Sequence, residues 1–379
     1  MKKRSVLIIG PTPPPVQGMA VFTEMLLRSP ALRAAYTVLH LDTADRRSLE
    51  NMGRFDLTNV RLALVHAGRL AALVVRHRPD VVYIEVSQNA WAYLRDSVLM
   101  AIARLAGCRV VTHLHGSHFR EFYTGAIAPV RWWVRRTSRW LSVAAVLGEG
   151  LRSLYAGLVP PERVLVAPAG VPDPFPEGVR ARDRAGAEAR AVTVTYLGAL
   201  FRPKGFLDLL DAAARLRDAE PPVRFILAGG WVSDAEREEA VERVRAHGLE
   251  DVVDFPGVVA GDAKRALWLE SDIFVFPGYQ AEGLPLVVLE AMAAALPVIA
   301  TPMGAIPDAV ADGISGILVP PRDPSHLADA IGRLAREPAL RERMGRAGRA
   351  RFLDAYTDDR CIERLIAVLD AACGGLEAV

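Results

Sequence analysis

The sequence predicts an α/β protein with two domains, each built on a parallel β-sheet with helices on both faces. Short β-branched runs alternate with helix-period segments along most of the chain, which is typical of doubly wound sheets. The 379 residues exceed the usual size of one domain, and 51% of them are apolar, which is enough for two cores. We therefore expect two Rossmann-like domains.

A segment rich in Pro, Gly and charged residues marks the predicted domain boundary. We place the first domain at residues 1–175, a linker at 176–191 and the second domain at 192–355. Residues 356–379 are expected to form a C-terminal helix that is a candidate for crossing back to the first domain.

Charge is distributed unevenly, although the net charge is only +2. Residues 1–175 hold 22 Lys and Arg against 12 Asp and Glu, a difference of +10, and the remainder holds 24 against 32, a difference of −8. We therefore expect the first half to face an anionic partner, with no nucleic-acid partner. Only four of the 46 basic residues are lysines, so Lys204 carries more information than a single arginine.

The three cysteines have no CxxC or Cys/His spacing, which indicates neither a disulfide framework nor a zinc site. The apolar run that begins at Val6 is too short for a signal peptide. Glu290 interrupts the longest apolar window, Leu284–Pro302, so we expect no membrane span. These features predict a cytoplasmic protein that associates peripherally with the inner face of the cytoplasmic membrane.

The first domain shows the alternation from its beginning. Its predicted elements are strand Val6–Gly10, a helix opened by Gly18, strand Val38–Leu41, helix Val60–His77, strand Val81–Val86, helix Trp91–Ala106, and strands Arg109–Leu114, Ser142–Leu147 and Val164–Val166. Three histidines follow the strand at Arg109, in HLHGSHF, where His113 and His115 point to the same side. No carboxylate or Cys completes a metal set with them.

The segment RWWVRRTSRW interleaves tryptophan with arginine. One side of the predicted helix carries Trp132, Arg135, Arg136 and Arg139, and Arg131 begins the segment. This pattern is typical of an interfacial helix on anionic lipid. The alternative is that the tryptophans, including Trp133 and Trp140, pack into the core while the arginines are solvated.

The second domain repeats the alternation. Its predicted elements are a strand from Val192, a helix after Gly205, strand Arg224–Ala228, helix Asp234–His247, strand Val252–Phe255, helix Asp262–Glu270, strand Ile273–Phe276, a helix that carries Glu290, and strand Val298–Thr301.

The unit from Ser271 to Gly304 carries two glutamates that are eight positions apart, Glu282 and Glu290. On one helix they would be separated by roughly 12 Å of rise, more than a hydrolytic carboxylate pair needs. We interpret them as a clamp on the hydroxyls of a polyhydroxylated ligand. The alternative is an ordinary crossover helix with a solvated Glu.

The helix start between these acids is suited to a diphosphate, because its N–H groups are unpaired and its dipole end is positive. The residues at this start are Gly283, Leu284, Pro285 and Leu286. Gly283 lets the backbone approach a ligand closely.

The stretch EGLPLVVLEAMAAALPVIAT resembles the signature of retaining glycosyltransferases of family 4, which have the GT-B fold. The resemblance implies that Glu282 contacts the donor sugar and Glu290 the ribose of a sugar nucleotide. This sequence departs from the signature at Leu284, Pro285 and Ala295, where the family usually has Phe, Gly and Gly.

The same resemblance assigns roles in other loops. Lys204 falls on the family's diphosphate-binding lysine, but Ala199 occupies the usual arginine position, and we interpret Arg202 as its replacement. Relatives hold the nucleotide base at the loop that contains Gly257 and Val258.

In the first domain, His115 is expected beside the donor sugar, with a satisfied structural histidine as the alternative. The loop before Gly18 is expected to reach the donor phosphates, with a simple tight turn as the alternative. The dinucleotide fingerprint GxGxxG is absent from this loop.

Two further segments, NMGRFDLTN and HLHGSHF, resemble bacterial exopolysaccharide and capsule transferases of this family. The resemblance implies a hexosyltransferase-type enzyme that uses no metal or other cofactor. It would move a sugar from a nucleotide-diphosphate sugar, UDP-linked rather than GDP-linked, to a glycan hydroxyl with retained configuration, the acceptor being a lipid-linked saccharide. The alternatives are a nucleotide-sugar epimerase and a non-catalytic nucleotide-sugar-binding protein of the same fold.

Overall fold

The computed structural model describes residues 3–14, 18–46, 57–176 and 191–374. It divides into two compact units. The first comprises Met1–Ala169, Glu282–Leu284 and Asp358–Val379, and the second comprises Gly170–Ala281 and Pro285–Thr357. Almost all of the predicted linker, 177–190, lies outside the described residues, as do residues 51–56 of the NMGRFDLTN segment.

The first unit is built on a six-stranded parallel sheet with the strand order β2-β1-β3-β4-β5-β6. Its elements are β1 Ser5–Gly10, α1 Gly18–Arg28, α2 Pro30–Ala35, β2 Thr37–Asp42, α3 Leu57–His77, β3 Val81–Glu85, α4 Ala90–Leu105, β4 Arg109–Leu114, α5 Phe119–Gly125, α6 Ala128–Ser138, β5 Val143–Val146 and β6 Val164–Val166. Strands β1, β3 and β5 are almost completely buried, as parallel strands with helices on both faces are.

The second unit also has a six-stranded parallel sheet, with the order β12-β11-β10-β7-β8-β9. Its elements are β7 Val192–Leu197, α7 Phe206–Arg215, β8 Val223–Ala228, α8 Asp234–His247, β9 Val253–Gly257, α9 Gly261–Glu270, β10 Ile273–Phe276, α10 Leu286–Ala293, β11 Val298–Ala300, α11 Ile306–Ala309, β12 Gly316–Leu318, α12 Pro324–Arg336 and α13 Pro338–Ala355. The two parallel sheets confirm the predicted fold class.

The last helix, α14 Asp358–Gly374, belongs to the first unit. It packs against α2 and against strands of the first sheet. The Tyr36 hydroxyl donates a hydrogen bond to Asp370 of this helix at 2.5 Å. The tail of the chain therefore completes the core of the unit in which the chain begins.

Each sheet contains one point where the strand order reverses. The chain leaves β1 toward β2 on one side and later returns to β3 on the other side, and in the second sheet the reversal lies between β7 and β10. Loops that leave the carboxyl ends of strands diverge at such switch points, and ligands of open α/β sheets bind in the resulting crevice. The two reversals therefore mark where a functional site is expected in each unit.

Helix α3 is long and apolar enough, by length and composition, to cross a membrane. The expectation of no membrane span rested on the apolar window at Leu284–Pro302 and did not take this helix into account. One side of α3 is buried, at His66, Leu70 and Val74, while Leu64 and Val75 are exposed. Since α3 packs against β2 and α4 of the first unit, its exposed apolar side belongs to a folded α/β unit.

Ala295 has a left-handed backbone conformation, with φ of 53°. It ends the turn after α10, and its N–H donates to the Met292 carbonyl at 3.0 Å. The left-handed region is unfavourable for a residue with a Cβ atom, which accounts for the glycine at this position of the family signature. The departure at Ala295 therefore places a Cβ atom in a strained backbone conformation.

Replacing Ala295 with Gly is expected to stabilise the protein. The relief of left-handed strain, about 1–2 kcal/mol, exceeds the entropic cost of a glycine in the unfolded chain, so a net gain of up to about 1 kcal/mol is expected. Urea unfolding of the wild type and Ala295→Gly measures this gain. Ala294→Gly is a matched control, because Ala294 has φ of −78° and should lose stability. An equal loss in both variants would contradict the prediction.

Candidate functional site

Two loops are held together at the switch point of the second unit, one after β7 and one after β10. Gly205 has φ of 78°, and a Cβ atom built there would lie 2.3 Å from the Pro277 carbonyl oxygen. Only glycine fits this approach. The N–H groups of Tyr279 and Gln280 donate to the Pro203 carbonyl at 3.0 and 3.1 Å. These contacts fix the loop that carries Lys204 against the loop that precedes α10.

Lys204 is partly buried at this junction. Its ammonium nitrogen lies 5.5 Å from the centroid of the Phe276 ring, within the range of a cation–π contact. The ring belongs to the last residue of β10, so the sheet itself helps to position the charge. The lysine that the sequence singled out thus lies at the reversal of the strand order.

Arg202, the predicted second cation, forms an ion pair with Glu239 of α8. Its backbone N–H also contacts the Glu236 carboxylate at 3.1 Å. A diphosphate role for Arg202 therefore stays a prediction. Sequence reasoning did not single out Arg322, whose guanidinium carbon lies 4.2 Å from the centroid of the Tyr279 ring. This stacking brings another cation to the loop after β10.

Glu290 lies on α10 and forms an ion pair with Lys264 of α9, at 2.6 Å between Nζ and Oε1. Burial raises the pKa of Glu290, and the adjacent Lys264 ammonium opposes this shift. The second carboxylate oxygen, Oε2, is buried and has no hydrogen-bond partner within the described part of the chain. The lysine holds one oxygen and leaves the other able to accept a bond from a ligand hydroxyl. Sequence reasoning missed Lys264 in this role, although lysine is rare in the chain.

The predicted base-binding loop follows β9. Gly257 ends this strand, and its carbonyl accepts a bond from the Gly229 N–H at 2.8 Å. Val258 is exposed and lies beside Gly230, which follows β8. The exits of β8 and β9 are therefore adjacent, next to the exit of β7 in the sheet.

Helix α10 begins at Leu286, and Pro285 occupies the N-cap position without a side-chain capping bond. This arrangement agrees with the predicted uncapped helix start. Glu282, Gly283 and Leu284 group with the first unit. There, a Cβ atom built on Gly283 would lie 2.0 Å from the His115 carbonyl oxygen. The structure thus brings together two predicted site residues from distant parts of the sequence.

His113 is a structural histidine. Its Nε2–H donates to the Ala167 carbonyl at 2.9 Å, so its Nδ1 accepts the bond from the Tyr83 hydroxyl at 2.7 Å. Burial lowers the pKa of His113 to about 4. Both ring nitrogens are engaged, which leaves His113 no role toward a ligand.

His115 differs from His113, because its Nε2 is buried without a hydrogen-bond partner among the described residues. Its ring lies 4.2 Å from His113 and 4.6 Å from Phe22, measured between centroids. Burial lowers the pKa of His115 well below its ordinary value, and His113 adds to this effect. A neutral imidazole with an open nitrogen is suited to a hydroxyl of a ligand.

Glu85 is a buried acid at the switch point of the first unit, at the end of β3, and sequence reasoning missed it. The Thr23 hydroxyl of α1 donates to its Oε1 at 2.9 Å, and Oε2 has no partner in the described chain. Burial raises the pKa of Glu85 to about 8, so the carboxyl group is protonated at neutral pH. The sequence feature that could have revealed Glu85 is an acid inside the otherwise apolar strand VVYIEV. A Cβ on Gly10 would lie 2.7 Å from the Thr23 hydroxyl, so glycine leaves room for this pair.

The remaining predicted residues of the first unit belong to α1 and to the segment at α6. Gly18 begins α1, and residues 15–17 of the loop before it lie outside the described chain. The exposed residues of the predicted interfacial helix are Arg131, Trp132, Arg135, Arg136 and Arg139. Trp133 instead packs inward, and its indole N–H donates to Ser97 of α4 at 2.8 Å. Trp132 is therefore placed as the interfacial alternative expects, and Trp133 as the alternative of inward packing expects. In the part of the chain that the structure describes, no group of three or more His, Cys, Asp or Glu residues is arranged to hold a metal ion.

Comparisons with known proteins identify chains similar to this one. The model of a family described as Glycosyl transferases group 1 matches residues 180–351. A D-inositol 3-phosphate glycosyltransferase from Frankia alni is 31% identical over 352 residues, which cover 86% of this chain and 83% of that protein. Another from Actinosynnema mirum is 33% identical over 250 residues, or 63% of this chain, but the alignment spans only 58% of that relative's length. The crystal structure of Anabaena HepE in complex with UDP has a TM-score of 0.74 at 17% identity, over 97% of this chain and 100% of that one.

Replacing Glu85 with Gln is expected to stabilise the protein more strongly as the pH rises. The pKa of Glu85 rises from an ordinary 4.5 to about 8 on folding, so the unfolded chain releases this proton first and the cost of burial grows between these values. Gln keeps the acceptor for Thr23 and cannot ionise. The gain in the free energy of unfolding over the wild type should therefore approach about 4 kcal/mol near pH 8 and vanish below pH 4.5. Urea unfolding across this range measures the difference. Glu121→Gln, at an exposed position of α5, is the control, and a gain independent of pH for Glu85→Gln would contradict the prediction.

Removing the Lys264 ammonium should destabilise the second unit, because Glu290 would remain partly buried without its partner. Lys264→Met is expected to lower the free energy of unfolding by about 2 kcal/mol at neutral pH. The double variant Lys264→Met/Glu290→Gln should recover most of this loss, since no unpaired charge remains. Urea unfolding of both single variants and the double variant measures the coupling. Additive losses would show that the pair does not interact.

Proposed function

This chain belongs to the group 1 glycosyltransferases and has the GT-B fold, and we propose that it transfers a sugar from a nucleotide-diphosphate sugar to an acceptor hydroxyl with retained configuration. The observation that carries the proposal is the position of Lys204, whose ammonium lies at the switch point of the second sheet against Phe276. A cation fixed at this point is suited to a bound diphosphate.

The chemistry follows from the charge that develops on the leaving group. The bond between the sugar C1 and the β-phosphate oxygen breaks, the acceptor oxygen bonds to C1, and the proton of the acceptor hydroxyl leaves with the diphosphate. Lys204 and the uncapped start of α10 stabilise the negative charge. Arg202 is proposed as a second cation, with Glu239 as its partner in the absence of donor.

We propose that the second unit also holds the nucleoside of the donor. Glu290 accepts a bond from a ribose hydroxyl through Oε2, while Lys264 holds Oε1. Backbone groups at Gly257 and Val258 contact the base. The UDP complex of Anabaena HepE, a protein of the same fold, favours UDP over GDP as the nucleotide. Transfer is proposed to need no metal ion, since cationic side chains and helix N–H groups neutralise the diphosphate.

The roles of Glu282 and His115 concern the sugar. We propose that Glu282 accepts hydrogen bonds from hydroxyls of the donor sugar, and that the open Nε2 of His115 contacts another hydroxyl of this sugar. Gly283, which follows Glu282, lies against the His115 carbonyl, and this close approach supports placing Glu282 and His115 at one site.

Two acceptors are proposed. A lipid-linked saccharide of polysaccharide biosynthesis follows from the resemblance of HLHGSHF to exopolysaccharide transferases. An inositol phosphate is the second candidate, because the Frankia and Actinosynnema relatives are D-inositol 3-phosphate glycosyltransferases. Incubation with radiolabelled UDP-sugars and each acceptor distinguishes them. Isomerisation of the donor would indicate the epimerase, and donor binding without turnover the non-catalytic alternative.

Lys204→Gln is expected to lower transfer by at least about 100-fold, because it removes a fixed charge that stabilises the leaving diphosphate. Arg202→Gln should lower transfer about tenfold, since an exposed charge is screened by solvent.

Glu282→Ala should abolish transfer while sparing UDP affinity. Radiolabelled assays measure the rate of transfer, and calorimetric titration measures the affinity for UDP. Arg237→Gln on α8 is the matched control, and a fully active Glu282→Ala variant would remove the role assigned to this residue.

A further inference from the structure

Three neighbouring helices of the first unit, α3, α4 and α6, share a surface that no proposed catalytic role uses. Helix α4 packs against both of the others. Together they carry most of the large apolar side chains that are exposed in the described chain: Val60, Leu64, Val65, Val75, Trp91, Leu94, Val98, Leu105 and Trp132, with Leu57 and Ile127 at helix ends. We call this surface the three-helix face.

The exposed side of α4 is an apolar stripe. Trp91, Leu94, Val98 and Leu105 are spaced three, four and seven residues apart, so they lie along one face of the helix. Trp91 is 55% exposed and Leu105 is 88% exposed. Scattered exposed apolar residues need no explanation, but a continuous stripe indicates a binding surface.

The charge of the three-helix face has one sign. Helices α3 and α6 contain no acidic residue, and the single acid of α4, Asp96, is buried against Arg95. The arginines of these helices are Arg61, Arg69, Arg76, Arg95, Arg104, Arg131, Arg135 and Arg136, and Arg139 follows α6. Outside the three helices, Glu121 of α5 pairs with His118 at 3.7 Å, and Asp42 of β2 interacts electrostatically with His66 of α3.

The arginine-rich composition of the chain does not explain this distribution. Helix α8 of the second unit is also solvent-exposed and has only two buried residues, Ala240 and Val244. It mixes three arginines with Asp234, Glu236, Glu238, Glu239 and Glu242. Acids are therefore common on exposed helices of this protein and missing from the three-helix face.

We infer that the three-helix face docks on an anionic lipid bilayer. Its apolar stripe enters the boundary between head groups and acyl chains, while the arginines around it contact lipid phosphates. The aromatic residues Trp91 and Trp132 suit that boundary, where an amphipathic ring is favoured. Helix α3 lies on the membrane rather than across it, because its buried side packs on the first sheet. This inference goes beyond the transfer reaction and is independent of the donor and acceptor.

The test uses the full-length protein and vesicles without substrate. Cosedimentation should show strong binding to phosphatidylcholine vesicles that contain about 30% phosphatidylglycerol and weak binding to phosphatidylcholine alone. The double variant Leu94→Glu/Val98→Glu should lower the partition coefficient at least about tenfold, since it removes the apolar contact and adds repulsion. Arg104→Gln should lower it about fivefold, an effect that salt at about 0.5 M should largely remove.

Matched substitutions on the second unit control for general effects of charge. Leu353→Glu on α13 and Arg237→Gln on α8 should bind anionic vesicles as the wild type does. Circular dichroism establishes that each variant is folded. As a second readout, brominated phosphatidylglycerol should quench tryptophan fluorescence in the wild type, and less in Trp91→Phe/Trp132→Phe.

Equal binding to neutral and anionic vesicles, or equal losses in the control variants, would overturn the inference. Sedimentation velocity addresses the competing occupant, a second copy of the chain. A dimer that Leu94→Glu/Val98→Glu dissociates, in a protein that does not bind anionic vesicles, would show that this face is a subunit interface and would also overturn the inference.

Discussion

The close approach of two loops at the reversal of strand order organises the second unit. Gly205 must lie against the Pro277 carbonyl for the loop after β7 to meet the loop after β10, and a Cβ atom would prevent this. Because the two strands are neighbours in the sheet and their connections lead to opposite sides, their loops diverge and form a crevice at this point. Lys204 directly precedes this glycine, so the same backbone contact helps to position its charge.

Sequence periodicity was sufficient to predict most of the fold, and the reason is physical. Parallel strands buried on both faces are continuous apolar runs, so β4 at Arg109–Leu114 agrees with the predicted bounds. Helix α8 at Asp234–His247 also agrees, because Ser233 and Gly248 are typical residues at the two ends of a helix. Helices α2 and α5 were missed, because six or seven residues give too few turns for a periodic signal.

The candidate site was only partly predictable. Lys204, Glu282 and Glu290 belong to a contiguous signature or to a loop with a characteristic spacing, and these can be read from one sequence. Glu85 and Lys264 act through partners 62 and 26 residues away, Thr23 and Glu290, and only folding brings such pairs together. Arg202 illustrates the opposite difficulty. Its place in the loop suggested a diphosphate contact, but a sequence does not reveal that Glu239 on a neighbouring helix binds the same guanidinium.

The two units differ in the groups that surround their buried carboxyl groups, Glu290 and Glu85. In the second unit Glu290 forms an ion pair with Lys264 through one carboxylate oxygen, and its other oxygen remains able to accept a hydrogen bond. In the first unit the Glu85 carboxyl group accepts a bond from the Thr23 hydroxyl, and burial raises its pKa to about 8, so the group keeps its proton near neutral pH. A protonated carboxyl group donates a hydrogen bond, whereas Glu290 accepts one. Burial keeps His115 neutral as well, so Glu85 and His115 of the first unit are uncharged near neutral pH, whereas Lys204 of the second unit provides a charge that suits a diphosphate.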